Sequence, residues 1–312
     1  MTGNQPTWGV VATIRATPPE ILRFAAHHLD LGAHRLFLYF DEVTPAAETL
    51  ARHPRIRVTT CDSEYWKRRK RPRPQKHQVR QTLNASHAYR RGQVDWLTHI
   101  DVDEFLWPDS TIAGALSNLP DTANLARVRS VEALSGTDNA YKAFIPAGPH
   151  REKLVQEIYP RFGAFVKGGF LSHVAGKVFL RTGLPDIEFR LHNAFQSGQM
   201  IRDGIELTQV DLCHHHGHDW ADWIAKYRYR LTNGSYRADL APNTARERGG
   251  LTMHELLTTI EADGGESGLR QFFDELSAAD PQVRKHLAAR DMIRYRDLQL
   301  AEKVRKHFPG TA

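Results

Sequence analysis

The sequence predicts an α/β fold, with a mostly parallel central sheet, helices on both faces and a C-terminal helical extension. Two observations predict the sheet. Short β-rich apolar runs alternate with helical stretches through the first third of the chain, the pattern of strand-helix-strand units. Acidic residues then stand just past the ends of two of those runs, at Asp41 and at Asp101, Asp103 and Glu104. In such sheets ligands bind at the carboxyl ends of the strands. A third observation, amphipathic stretches without strands from Leu251 to Phe308, predicts the extension. We therefore expect a catalytic, ligand-binding domain over 1–218 and a helical part over 219–312.

The elements follow in order. Trp8 to Ile14 (WGVVATI) is the first strand. Thr17-Pro18-Pro19-Glu20 starts a helix, with a cap residue and prolines in its first turn. It places Ile21, Leu22, Phe24, Ala25, His28 and Leu29 near one face and ends at Gly32. His34 to Phe40 is the second strand, Pro45 to Arg52 a short helix, and Ile56 to Thr60 the third strand. A helix from about Lys76 to Arg90 leads into the run Trp96-Leu97-Thr98-His99-Ile100. Further strands are expected at Leu125 to Ser130, Val178 to Arg181 and Ile187 to Leu191. After His218, Trp220, Trp223, Ile224, Tyr227 and Leu231 recur at helical spacing, an aromatic stripe that belongs to a core.

The stretch VDWLTHIDVDEFLWP, Val94 to Pro108, carries the chemistry. Carboxylates are costly to bury without a partner. Three of them after a buried strand call for one, and a divalent cation is the simplest. Asp101 and Asp103 are two apart, so on an extended strand they share a face and can reach one hard ion, Mg²⁺ or Mn²⁺. Such an ion keeps positions open for substrate phosphate oxygens.

A second unusual stretch is Asp211-Leu212-Cys213-His214-His215-His216-Gly217-His218. One imidazole from it could complete the coordination begun by Asp101 and Asp103. At least two of the four are expected to be surface or hydrogen-bonding histidines. A separate zinc site lacks the usual thiolate pairs.

Composition sets the bounds. The 312 residues are 41% hydrophobic and 25% charged, which is ordinary globular protein. The net charge of +6 and the pI near 9.3 suit an anionic partner. Two cysteines, Cys61 and Cys213, give no disulfide framework and fit a reducing compartment. No run approaches the roughly 18 apolar residues of a membrane span. The expectation is a cytoplasmic protein that contacts at most the inner face of a membrane peripherally. The run Lys67-Arg68-Arg69-Lys70-Arg71-Pro72-Arg73 reads as a solvated loop, a clamp on an anionic substrate, or a contact with acidic lipid. A nucleic-acid patch would want more interleaved aromatic residues.

WLTHIDVDEFLWP resembles the metal-binding signature of family 2-like glycosyltransferases of the GT-A fold. Glu20, His27 or His28, Leu31-Gly32, Gln81, Asn84, Gly176-Lys177, His214 and Lys226 match further positions of the subgroup with a W…DxDEF line. The resemblance covers roughly residues 8 to 230. It departs at the basic run and in the middle region, where the acceptor would be read.

The resemblance implies transfer of a sugar from a nucleotide diphosphate sugar, UDP-linked foremost, to a hydroxyl acceptor that is a glycan or lipid-linked, in surface polysaccharide or lipopolysaccharide synthesis. It implies Asp103 as a direct ligand of Mn²⁺ or Mg²⁺, Asp101 on the metal, the ribose or both, and His214 as third ligand. Asp41 would meet the base or ribose, and Lys177 or Arg228 the diphosphate. Inversion at the sugar needs a carboxylate base, with Glu132, Asp138 and Glu104 as candidates. Two other classes fit parts of the sequence. One is a basic module that binds polyanions or membrane without catalysis. The other is a metal-dependent phosphohydrolase or nucleotidyltransferase, though the turn after the first strand has no glycine-rich phosphate loop.

Overall fold

A computed structural model describes residues 5–217, 219–242 and 244–311. In chain order its elements begin with β1 (Trp8–Ile14), α1 (Pro18–Asp30), β2 (Arg35–Phe40), α2 (Ala46–Ala51), β3 (Ile56–Thr60), α3 (Ser63–Arg68) and α4 (His77–Arg90). There follow β4 (Trp96–His99), β5 (Glu104–Pro108), α5 (Ile112–Ser117), β6 (Leu125–Ala133), β7 (Ala140–Ala143), α6 (Arg151–Ile158) and β8 (Lys177–Arg181). Then come β9 (Ile187–Phe189), β10 (Ala194–Gln196), β11 (Gln199–Met200), β12 (Ile205–His214) and α7 (Trp220–Thr232). The last are α8 (Met253–Leu276), α9 (Pro281–Ala288), β13 (Ile293–Tyr295) and α10 (Leu300–His307).

Two compact units contain these elements. The first comprises 1–129, 175–212 and 298–312; the second comprises 130–174 and 213–297. The expected division into a sheet domain over 1–218 and a helical extension over 219–312 stays a proposal beside these packing units.

The first unit holds the α/β sheet. Its strands run β3-β2-β1-β4-β8-β6, with the β2–β3, β1–β2 and β1–β4 ladders parallel and the two at β8 antiparallel. Every residue of β1 is buried, as a strand covered on both faces must be. Val11, Phe37, Tyr39 and Leu97 form one face and pack on Tyr65, Trp66, Ala85, Ala88 and Tyr89 of α3 and α4. Their neighbours Val10, Ala12, Leu36 and Leu38, also buried, point to the opposite face by strand alternation. A small antiparallel meander, β9-β10-β11, lies in the same unit. Among the described residues no helix is long and apolar enough to cross a membrane.

The helix start read at Thr17 is present. The Glu20 carboxylate accepts from the Thr17 N–H at 2.8 Å and from its hydroxyl at 2.7 Å. The far end of α1 carries two buried histidines. His27 Nε2 donates to the Leu106 carbonyl at 2.7 Å, which leaves Nδ1 to accept from Lys303 Nζ at 3.3 Å. His28 Nδ1 donates to the Phe24 carbonyl at 2.8 Å, so Nε2 faces the Leu106 N–H at 3.5 Å as acceptor. Both rings are therefore held neutral, and α10 joins the first unit through them and through Lys306 and His307 on Asp30, at 2.6 and 3.1 Å.

Burial pushes the His28 pKa down to about 3 and that of His27 well below its ordinary value, with Lys303 beside both and Asp30 pulling weakly the other way for His27. Unfolded histidines take up protons near pH 6.5, whereas these folded ones do not. Stability is thus full above about pH 6.5 and falls as the pH drops below it, by about 1.4 kcal/mol per pH unit for each histidine. Urea midpoints at pH 7.5 and 5.5 should show this fall. His27→Gln with His28→Gln should make the fall shallower by the share of two histidines. The rest comes from His87, His99 and His216, which burial also holds low. An unchanged slope would refute the assignment.

The second unit has its own core, with Trp223, Tyr227, Tyr159, Tyr236, Phe272 and Phe273 among its members. The aromatic stripe of α7 is core, as its spacing predicted. In this unit β7 pairs antiparallel with the end of β6 and with β13. The amphipathic stretches expected from Leu251 onward open with α8, which is broken at Gly265 (φ 55°, ψ −146°). The strands β7, β12 and β13 and the helix α6 were not expected from the sequence.

Candidate functional site

Three of the first unit's parallel strands end beside acidic residues. Asp41 follows β2, Asp62 follows β3, and Asp101 follows β4 shortly after its last residue, His99. The strand does not continue through the acids. Residues 101–104 form a turn, closed by the Glu104 N–H on the Asp101 carbonyl at 3.1 Å. The shared strand face expected of Asp101 and Asp103 is thus replaced by a turn, and β5 begins at Glu104. The chain turns at the charged strand end and re-enters the same sheet as β5, paired with β12.

The partners of these carboxylates come from β8 and α4. Lys177, 1% exposed, places Nζ 2.6 Å from Asp101 Oδ2 and 3.0 Å from Glu104 Oε2. Gln81 donates to Asp101 Oδ1 at 2.5 Å, and the Asp101 N–H donates to Glu104 Oε2 at 2.8 Å. Burial pushes the Asp101 carboxyl up, but the Lys177 ammonium outweighs it and holds the group well below the usual carboxylate range. Lys177 is raised in turn, since Asp101 and Glu104 outweigh the burial that would lower it. His99 lies two residues before Asp101, buried, and that burial pushes its pKa down to about 4.

Lys177 stands opposite Val128 in the β6–β8 ladder, and its neighbour Gly176 packs close against the same residue. Gly176 has φ +65°, and a Cβ there would stand 2.0 Å from the Val128 carbonyl oxygen. Only glycine permits that approach. The His192 Nδ1–H holds the Gly176 carbonyl at 2.8 Å.

Asp41 is the centre of a second cluster. Arg80 donates Nε to both of its oxygens, at 2.9 and 3.0 Å, and Nη2 lies 2.8 Å from Oδ2. His77 Nδ1 is at 3.4 Å and Arg73 Nη2 at 3.6 Å. Burial pushes the carboxyl up, yet His77 and Arg80 hold it down at about 2. Arg80 also ties down the loop of the basic run, donating Nη1 to the Pro74 and Gln75 carbonyls at 2.9 and 2.7 Å. Beside Asp41 opens a cleft of about 530 Å³ lined by Trp66, Lys67, Arg71 and Arg73 among others. At least part of the basic run therefore faces a cavity.

The expected residues divide as follows. Asp101, Glu104 and Lys177 make one contact network in the first unit, and Asp103, half-buried, sits in the same turn. Asp41 is in that unit too, and His77, Arg80 and Gln81 of α4 serve both clusters. Glu132, Asp138, His214 and Arg228 belong to the second unit. Glu132 accepts the N–H groups of Leu171 and Ser172 at 3.0 and 2.8 Å and faces Lys142 Nζ at 3.3 Å. Asp138 is exposed, and Arg228 is bound to Glu261. His214 is half-buried with its ring 5.2 Å from that of His216. His215 bonds the Tyr141 hydroxyl at 2.8 Å and His216 that of Tyr236 at 3.2 Å, so these two are hydrogen-bonding histidines. His218 lies outside the described residues.

Sequence reading missed the roles of His77 and Arg80. Their signal was available: His77, Arg80, Gln81 and Asn84 recur at helical spacing on α4, and the last three are buried although polar. A buried polar stripe needs polar partners, which here are the acids at the strand ends.

Whether these residues fit a divalent ion turns on Lys177. Among the described residues no three His, Cys, Asp or Glu side chains gather as a metal-binding group. An ammonium and a divalent ion about 4 Å apart repel by about 8 kcal/mol at an effective dielectric of 20, so one carboxylate oxygen pair does not comfortably hold both. Asp101, with Lys177 on one oxygen and Gln81 on the other, is the poorer ligand. Asp103 fits the mode in which Mg²⁺ is held by one or two carboxylates and completed by substrate phosphates and water.

No family model matches the chain, and no curated protein matches it. The solved structures similar to it include glucosyl-3-phosphoglycerate synthase from Mycobacterium tuberculosis in complex with phosphoglyceric acid. That likeness has 14% identity and a TM-score of 0.30, over 56% of this chain and 57% of that one. This chain thus spans just over half of the synthase. A second is a mycobacterial protein, at 14% identity and a TM-score of 0.35, over 75% of this chain and 76% of that one. At these scores neither likeness carries an argument. The α/β assignment rests on the strand order and register given above.

Proposed function

We propose that the chain is a glycosyltransferase that moves a sugar from a nucleotide diphosphate sugar to a hydroxyl acceptor. The observation that carries this reading is the pairing, at the carboxyl ends of parallel strands, of an acidic turn with a basic cleft beside Asp41. An acidic turn suits a cation, and a basic cleft suits the anionic nucleotide that the cation would accompany. Asp103 would hold Mg²⁺ or Mn²⁺, which when bound neutralises the charge developing on a diphosphate leaving group. Lys67, Arg71 and Arg73 would contact the nucleotide from the cleft wall, with Trp66 offering an apolar surface to the base. Asp41 would act through Arg80 and Arg73, which it orients, rather than by touching the base itself. Of the three acids offered as the acceptor base, Glu104 faces the buried Lys177, Glu132 faces the buried Lys142 and Asp138 is exposed, and the base stays a proposal among the three. Activity bounded by 1–218, a UDP-linked donor and a surface-glycan acceptor are parts of the same reading.

The test is a thermal-shift screen of nucleoside diphosphates and their sugars, each with Mn²⁺ and with EDTA. A ligand at a hundredfold its Kd adds about 2.7 kcal/mol to stability. One nucleotide series should stabilise the protein with Mn²⁺ and not with EDTA. Stabilisation by arbitrary polyanions, steeply weakened by salt, would favour the binding module instead. Silence toward every nucleotide would end the transferase reading.

A further inference from the structure

We infer that Lys177 is a built-in cation that completes the acidic turn, so that Asp101 and Glu104 are positioning residues rather than ligands of a divalent ion. The inference rests on the proposed function only for the ion at Asp103 and for what the turn is used for. Its core, the exchange of a lysine for a metal charge, stands on geometry alone.

Three facts carry it. The first is that Lys177 bridges two carboxylates, Asp101 at 2.6 Å and Glu104 at 3.0 Å, and is itself almost wholly buried. That is the place a divalent ion would take if both acids were its ligands. The second is that Asp101 also accepts from Gln81 Nε2, and Glu104 from the Asp101 N–H, both contacts directed into the protein. Both acids are thereby drawn inward, toward α4 and β8. The third is that Lys177 is held in register opposite Val128 in the β6–β8 ladder, next to a Gly176 backbone that admits no side chain. A chain that needed Asp101 as a metal ligand would gain nothing from aiming a lysine at it. A chain that needs the turn 101–104 held in one shape gains a permanent counter-charge, present before any ion or substrate arrives.

The consequence is specific. Removing the ammonium leaves two adjacent carboxylates without their cation, and a divalent ion can then replace it. Lys177→Met should therefore bind Mn²⁺ more tightly than the wild type in the absence of any nucleotide, by about tenfold or more. The gain should vanish in Asp101→Asn with Lys177→Met. Asp101→Asn alone, nearly isosteric, should keep Mn²⁺ affinity in the presence of nucleoside diphosphate within about threefold of wild type, while Asp103→Asn loses at least tenfold. Lys177→Arg, which keeps the charge, should show no gain.

Calorimetric or paramagnetic-resonance titration with Mn²⁺ reads all of these without turnover. No gain in a folded Lys177→Met, or an equal loss in Asp101→Asn and Asp103→Asn, would overturn the inference. If Lys177→Met does not fold, the comparison of Asp101→Asn with Asp103→Asn still decides it. A gain in Lys177→Met from a protein that binds no nucleotide would sustain this inference while refuting the donor site.

Discussion

Replacing Lys142 by methionine is expected to cost about 3–5 kcal/mol of stability, because it strands a charge. Lys142 is fully buried in the second unit, between the rings of Tyr159 and Phe170. Its ammonium donates to the Gly169 carbonyl at 2.5 Å and to that of Leu276, and lies 3.3 Å from Glu132. Burial lowers its pKa and Glu132 only partly restores it. Methionine fills the same space, so the loss is electrostatic rather than a cavity. Glu132 would keep the two N–H donors from Leu171 and Ser172 but lose the Lys142 ammonium, and the two carbonyls would lose a donor. Urea unfolding of the single variant, and of Lys142→Met with Glu132→Gln, checks the reasoning. The double variant should recover part of the loss, since the stranded charge is gone. A single-variant loss below about 1 kcal/mol would mean that Lys142 is not charged in the fold.

The same pair shows why the sequence could suggest acids but not rank them. Glu132 and Lys142 face one another across antiparallel strands, a register fixed by β6 and β7, and β7 was not foreseen. Most of the sheet was legible because its strands are continuous apolar runs. β3 matches its expected bounds, and α4 starts within a residue of expectation. β12 was missed because its buried residues, Leu207, Val210, Leu212 and Cys213, break strict alternation. α6 was missed because Leu154, Val155 and Ile158 are too few to mark a face.

The acidic turn was legible as a place of chemistry but not as a geometry. Reading Asp101 and Asp103 onto one strand face assumed that β4 continued, whereas the chain turns there. Lys177 lies 76 positions from Asp101 along the chain, and nothing local to either residue announces that they meet. Gly176 was noticed through a resemblance; the structure supplies the reason, an approach to Val128 that no side chain could survive.

In the proposed function the acidic turn serves sugar transfer through a cation at Asp103. Asp103→Asn should lower the rate of nucleoside diphosphate release from the nucleotide sugar by about 10²–10³-fold, the scale on which loss of one preorganised electrostatic contact to a developing charge is felt. The substitution keeps size and hydrogen-bonding shape and removes the charge that would hold the cation. Structural damage is excluded by an unchanged urea midpoint. The direct measurement is release of nucleoside diphosphate by wild type and Asp103→Asn across a Mn²⁺ titration, using the nucleotide sugar that stabilises the protein. The account predicts a saturable Mn²⁺ dependence in the wild type and a rate near background in the variant at every Mn²⁺ concentration. Equal rates in the two folded proteins would contradict it.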